Sequence, residues 1–209
     1  MKKYVIVCVA ALLVSSATAF AQDPLVPDWR GENGTTWQVW EFSTDNADLV
    51  PPDAGVNDFG DPLLQVDTSL DWISDDQGRM GVWPLFGELN VYLPNDPTPN
   101  DEKLMRIQLT WKPGDNNPSP FVPSIPAIAV VPFSDITMTV AESIQLENGW
   151  ETMVLDIVMH PNPPEEWVTV EGDILVDRLV IDTYCWVPEP MTMALLAFGG
   201  LVLYRRRRA

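Results

Sequence analysis

Apolar and polar positions alternate without interruption through residues 104–112. Met105, Ile107, Leu109 and Trp111 fall on one side, and Arg106, Gln108, Thr110 and Lys112 on the other. A period of two is the mark of a β-strand whose faces meet different surroundings. The stretch 35–42 carries the same signal, with Trp37 and Val39 opposed to Trp40 and Phe42. Short runs rich in β-branched and aromatic residues predict further strands at 63–66, 83–86, 88–93, 136–140, 143–146, 150–159 and 168–183, the last with a break. Turn chemistry separates them. Asp75-Asp76-Gln77-Gly78 reads as a turn, and Asn148-Gly149 is a strong hairpin signal. Six prolines within 113–132 predict a loop or an edge wrap rather than a central strand. No stretch between 22 and 186 shows a helical stripe, and 18 of the 20 prolines lie there. The expectation is all-β: one antiparallel β-sandwich over residues 22–186, large enough for a sizeable core.

The two ends follow a different pattern. Lys2 and Lys3 precede an uncharged apolar run over 4–14, and small residues follow, with Ala-x-Ala sites ending at Ala19 and Ala21. This three-part order predicts a secretory signal peptide over 1–21, cut by signal peptidase, with Ala21 favoured because a polar chain then begins at Gln22. The run of about 11 residues is well short of the ~20 that span a bilayer. At the other end, Val187-Pro188-Glu189-Pro190 is followed by residues 191–204 without a charge and then by Arg205, Arg206, Arg207 and Arg208. As a helix the apolar stretch covers about 21 Å, so it predicts a short transmembrane helix that crosses only with snorkelling arginines and a locally thin bilayer. Four arginines hold that end in the cytoplasm. A cleaved leader puts the body outside, so both ends agree on one orientation.

The C-terminal residues resemble the PEP-CTERM sorting signal of Gram-negative bacteria that make exopolysaccharide. The resemblance rests on Val187, Pro188, Glu189 and Pro190, the short apolar run and the terminal arginine cluster, in that order at 187–209. It implies processing by exosortase, a membrane-embedded cysteine protease. An ordinary tail anchor is the alternative; a Gram-positive sortase signal lacks its Leu-Pro-x-Thr-Gly here. The motif suits a protease physically. Pro188 and Pro190 keep the backbone extended and accessible. Glu189 marks the water side of the boundary, since burying it in lipid would be costly.

Charge sharpens the division. The chain carries 12 basic and 30 acidic residues, a net −18. The segment 22–186 alone holds six basic and 29 acidic residues, so its own charge is −23. Such a polyanion does not bind nucleic acid through a phosphate-neutralising patch. The plain reading is a solvated acidic surface that keeps an exported protein soluble. Asp45 with Asp48, Asp58 with Asp61, and Asp75 with Asp76 could supply oxygen ligands for a structural calcium ion, although none fits an EF-hand loop.

Residues 134–183 are similar in pattern to the closing strands of galactose-binding-like jelly rolls: a strand ends in His160-Pro161-Asn162-Pro163, a short strand follows, and then comes the run Ile174 to Asp182. That resemblance implies a jelly-roll-like sandwich, the fold of many carbohydrate-binding modules, which often carry calcium. It gives the tryptophans a second reading besides packing. Aromatic faces take the C–H surface of a sugar ring, and Trp29, Trp72, Trp83 and Trp167 lie near predicted strand ends or loops; Trp111 and Trp150 read as core.

Catalysis has little to work with. His160 is the only histidine and precedes a proline-rich turn, so it reads as a surface residue. Zinc clusters and phosphate-binding glycine loops are absent. Many carboxylates leave a polysaccharide hydrolase open without singling out a pair. Cys185 reads first as a small buried hydrophobe, with interchain pairing or a modification as alternatives. The expectation is a non-enzymatic protein without a cofactor. It is anchored in the inner membrane only transiently, then released to the envelope, cell surface or extracellular matrix. The alternative function is a carbohydrate-binding module of the cell surface, with exopolysaccharide as its candidate partner.

Overall fold

The computed structural model describes residues 25–97, 102–114, 125–131 and 135–185. The signal peptide expected at 1–21 and the sorting tail at 187–209 lie outside them. The described residues form strands β1 (Thr35–Trp40), β2 (Ala54–Val56), β3 (Leu63–Asp67), β4 (Ile73–Asp76), β5 (Arg79–Pro94), β6 (Lys103–Pro113), β7 (Ala127–Val131), β8 (Ile136–Gln145), β9 (Glu151–Met159) and β10 (Glu165–Cys185). Every pairing is antiparallel.

Strand β10 organises the molecule. Its residues 167–171 lie between β5 and β7, and 174–176 lie between β5 and the end of β6. Its second half, from Arg178, lies between β6 and β1. The register with β6 slips between Val176 and Arg178, a bulge that adds local bend and twist. One layer is therefore β2-β1-β10-β6-β9-β8, and the other is β3-β5-β10-β7, with β4 hairpinned onto the start of β5. Side chains from both layers meet in one continuous core: Trp40, Leu109 and Ile157 from the first, and Leu89, Val91 and Val168 from the second. Each such aliphatic side chain contributes roughly 1.5–3 kcal/mol by leaving water. The sandwich expected from alternation is what the chain forms.

The breaks read from the sequence are interruptions of pattern, not of structure. The runs 83–86 and 88–93 are one strand that passes through Gly87. A Cβ there would sit 2.3 Å from the Asp67 carbonyl oxygen, so glycine marks a close backbone approach. The runs 136–140 and 143–146 are likewise one strand, β8, with a bulge between Val140 and Glu142. Residues 75–78, read as a turn, contribute Asp75 and Asp76 to β4, and the turn itself is Gln77 and Gly78, both at positive φ. Within the proline-rich stretch, β7 pairs with β10 alone among the described residues and is an edge there.

The polar side of β6 is not a water-facing side. Gln108, Thr110 and Lys112 are all buried. The N-terminal segment lies over it: Gln108 donates to the Leu25 carbonyl at 2.9 Å, and Trp29 stacks on Tyr184 at 5.8 Å. Thr110 meets Thr152 at 3.0 Å, and Lys112 pairs with Asp76 while lying over the Trp150 ring.

Candidate functional site

The four tryptophans considered for sugar contact part company. Trp83 is only 5% exposed and belongs to the core, because β5 points it inward beside Leu85. It is no platform, and that expectation is corrected. Trp72 packs partly buried against the core and donates its indole N–H to the Phe42 carbonyl at 3.0 Å. Trp29 is half-buried on Tyr184. Trp167 is 45% exposed and stands on the outer face of the second layer.

Trp167 has a built surrounding. Its cross-strand partner on β5 is Tyr92, and the two rings lie 5.1 Å apart, tilted by 48°. Two residues along the same face, Asn90 pairs across β3 with Gln65 and across β10 with Thr169. The Thr169 hydroxyl donates to Asn90 Oδ1 at 2.8 Å, and Asn90 Nδ2 donates to Glu88 at 2.9 Å, so the amide is fixed in one orientation. The Tyr92 hydroxyl donates to Glu165 at 3.1 Å, and that bond pushes the phenol above its ordinary pKa. A cavity of about 160 Å³ opens here, lined by Leu49, Leu63, Gln65, Asn90, Tyr92 and Trp167.

A wider cleft of about 500 Å³ adjoins it, and Leu49 and Leu63 line both. Gln38, Asn57 and Asp61 bring polar groups to it between Pro51, Pro52 and Pro62. Gln38 is fully buried on the core side of β1, and neither atom of its amide has a hydrogen-bond partner among the described residues. Sequence reading missed Asn90 and Tyr92. The signal was present: they alternate with Leu89, Val91 and Leu93 on a strand whose other face is core.

The acidic candidates stand apart from one another. Asp75 accepts the Gly78 N–H at 2.8 Å and so closes its turn. Asp76 is paired with Lys112. Asp61 lines the wider cleft. Asp45, Asp48 and Asp58 sit in the connections after β1 and before β3. Among the described residues no three metal-ligating His, Cys, Asp or Glu side chains come together. His160 is exposed, with Glu102 at 3.5 Å. Cys185 is fully buried and unoxidised, and burial pushes its thiol up.

The basic residues of 22–186 are all engaged. Arg30 pairs with Asp182, Arg79 with Asp177, Lys103 with Glu166, Arg106 with Asp156, Lys112 with Asp76 and Arg178 with Glu41.

Val187, Pro188, Glu189, Pro190 and the four terminal arginines lie beyond the described residues, directly after β10 ends at Cys185. Neither the curated proteins nor the solved structures include a match to this chain, so the galactose-binding-like likeness of 134–183 is one of pattern alone. The family model of the PEP-CTERM protein-sorting motif matches residues 187–208. The chain is thus an exported protein with a C-terminal membrane-anchoring signal of the PEP-CTERM type, a substrate for exosortase.

Proposed function

We propose that this is a non-enzymatic protein of the cell envelope or extracellular matrix whose β-sandwich holds a neutral polysaccharide at the Trp167 face. The sorting motif supports the route: export, a transient anchor, cleavage near Pro188-Glu189-Pro190, and release of the body. Exopolysaccharide is the partner such a route would present. The observation that carries the binding role is the half-exposed Trp167 beside Tyr92, above a cavity lined by the amides of Gln65 and Asn90. A sugar ring offers C–H surface to the aromatic faces and hydroxyls to the amides. The adjoining cleft extends the surface, and Asn57 and Asp61 bring polar groups to it. The acidic body repels acidic polymers, which favours an uncharged chain.

Two measurements test this. Intact mass of the protein from its native host is expected to lack residues 191–209; finding them still attached removes the processing step. Pull-down on exopolysaccharide and on neutral glycans is expected to retain the full-length protein. Trp167→Ala is expected to weaken that retention by about tenfold or more. Equal retention of both proteins, or turnover of the glycan during the assay, overturns the reading.

A further inference from the structure

Strand β10 folds back so that its two ends meet. Glu166 near its start and Cys185 at its end both contact Asn95, which follows β5. Lys103, which opens β6, and Asn162, which precedes β10, complete a cluster closed to solvent: Lys103 is 1% exposed and Glu166 0%, with Asn95, Asn162 and Cys185 also buried. A lysine and a glutamate so deep in a protein are costly unless their surroundings answer them.

The arrangement around Asn95 is specific. Lys103 Nζ lies 2.5 Å from Glu166 Oε1, and Asn95 Nδ2 lies 3.0 Å from the same oxygen. One carboxylate oxygen therefore touches both an amine and a carboxamide nitrogen. Asn95 Oδ1 accepts the Asp96 backbone N–H at 2.9 Å and the Cys185 thiol at 2.9 Å. Asn95 Nδ2 faces three acceptors, Glu166 Oε1, Asn162 Oδ1 and the Pro163 carbonyl. A carboxamide nitrogen has two hydrogens, so one acceptor is surplus until that nitrogen gains another proton. Flipping the amide would aim its oxygen at three acceptors, so the network fixes its orientation. Burial pushes the Glu166 carboxyl above its ordinary range although Lys103 pulls it down, which suits a group that must take up and return a proton.

We propose that Lys103 and Asn95 join through an intramolecular isopeptide bond, formed by the protein itself with Glu166 as the proton carrier. The Lys103 ammonium gives a proton to Glu166, leaving a neutral amine. The Nζ lone pair attacks Asn95 Cγ, and the carbonyl π electrons move onto Oδ1, where the Asp96 N–H and the Cys185 thiol hold the charge. As the carbonyl re-forms, the Cγ–Nδ2 bond breaks, and Nδ2 takes the proton from Glu166 and departs as ammonia. Glu166 then removes the extra proton from Nζ and passes it to the ammonia, which leaves as ammonium. No oxidant or co-reactant is needed. The bond closes residues 96–102 into a ring where the ends of β10 meet. It gives the body a covalent staple although 22–186 holds a single cysteine.

Tryptic mapping of the denatured full-length protein tests this independently of processing at either end. The expected result is one peptide, 80–106, uncut after Lys103 and about 17 Da lighter than its sequence, the mass of one ammonia. Glu166→Gln is expected to restore full mass and cleavage after Lys103. Ordinary cleavage after Lys103 at full mass in the wild-type protein overturns the proposal, whether or not the variant folds. Persistence of the mass loss in Glu166→Gln overturns the role given to Glu166. A cross-link from Lys103 to a peptide containing Asn162 overturns the choice of Asn95.

Discussion

Asp182 is fully buried, and two side chains answer its charge. Arg30 donates to both carboxylate oxygens, and Gln108 approaches at 3.5 Å. Burial nevertheless prevails over Arg30 and leaves the carboxyl above its ordinary value; Asp177 and Glu166 are shifted the same way by the same cause. A folded-state pKa above the unfolded ~3.9 means that the folded protein holds the proton more tightly. The associated stability is complete below the unfolded value and is lost as pH rises through the folded one. Urea midpoints are therefore expected to fall as pH rises from about 4 towards neutrality, and Asp182→Asn is expected to flatten part of that slope. An unchanged slope in the variant would remove Asp182 as a source. Residue chemistry of this kind was poorly legible beforehand. Trp83 and Trp167 look alike in sequence, and only the register of β5 and β10 sends one inward and leaves the other out. Lys103 sits on the same parity as Met105 and Ile107, so alternation places it in the core, but it says nothing of Glu166, which comes from a distant strand.

At the scale of elements, alternation was legible because strand faces differ in burial. Continuity was not. Gly87 and the bulges in β8 and β10 disturb a local pattern while leaving the ladder intact, and only partners distant in sequence reveal that. Gly87→Ala is expected to destabilise the protein by about 1–3 kcal/mol, read as a lower chemical-denaturation midpoint, because the new methyl meets the Asp67 carbonyl. Strand β8 presents the opposite case. Among the described residues it pairs only with β9, and nearly all its residues are exposed, Val140 at 60% and Met138 at 40%. An edge with so little packing opens readily. Amide hydrogen exchange is expected to be faster in β8 than in the second half of β10. Val140→Lys should lower self-association in light scattering without a change in thermal midpoint.

For the whole molecule, the pairing of all six body cations leaves most of the 29 carboxylates without a counter-charge. Their mutual repulsion opposes the compact state and is screened by salt. The thermal midpoint is expected to rise between about 0.05 and 0.5 M sodium chloride; a flat response would mean that the charges are already too dispersed to repel. This acidity and the sorting tail were both plain in the sequence, since composition and terminal motifs need no fold. The Trp167 face was not, because it is assembled from three strands.

The fold-back of β10 also imposes an order in time. It pairs with β1, β5, β6 and β7, yet among the described strands it comes last in the chain. Until residue 185 emerges, neither layer can close, and earlier strands wait with open edges. On the proposed route, a tail that anchors the chain soon after Cys185 would deliver the missing strand to the outer side and hold the molecule there while it folds. Release by the protease would then act on a finished domain, and the C-terminal anchor would be a timer for folding as well as an address.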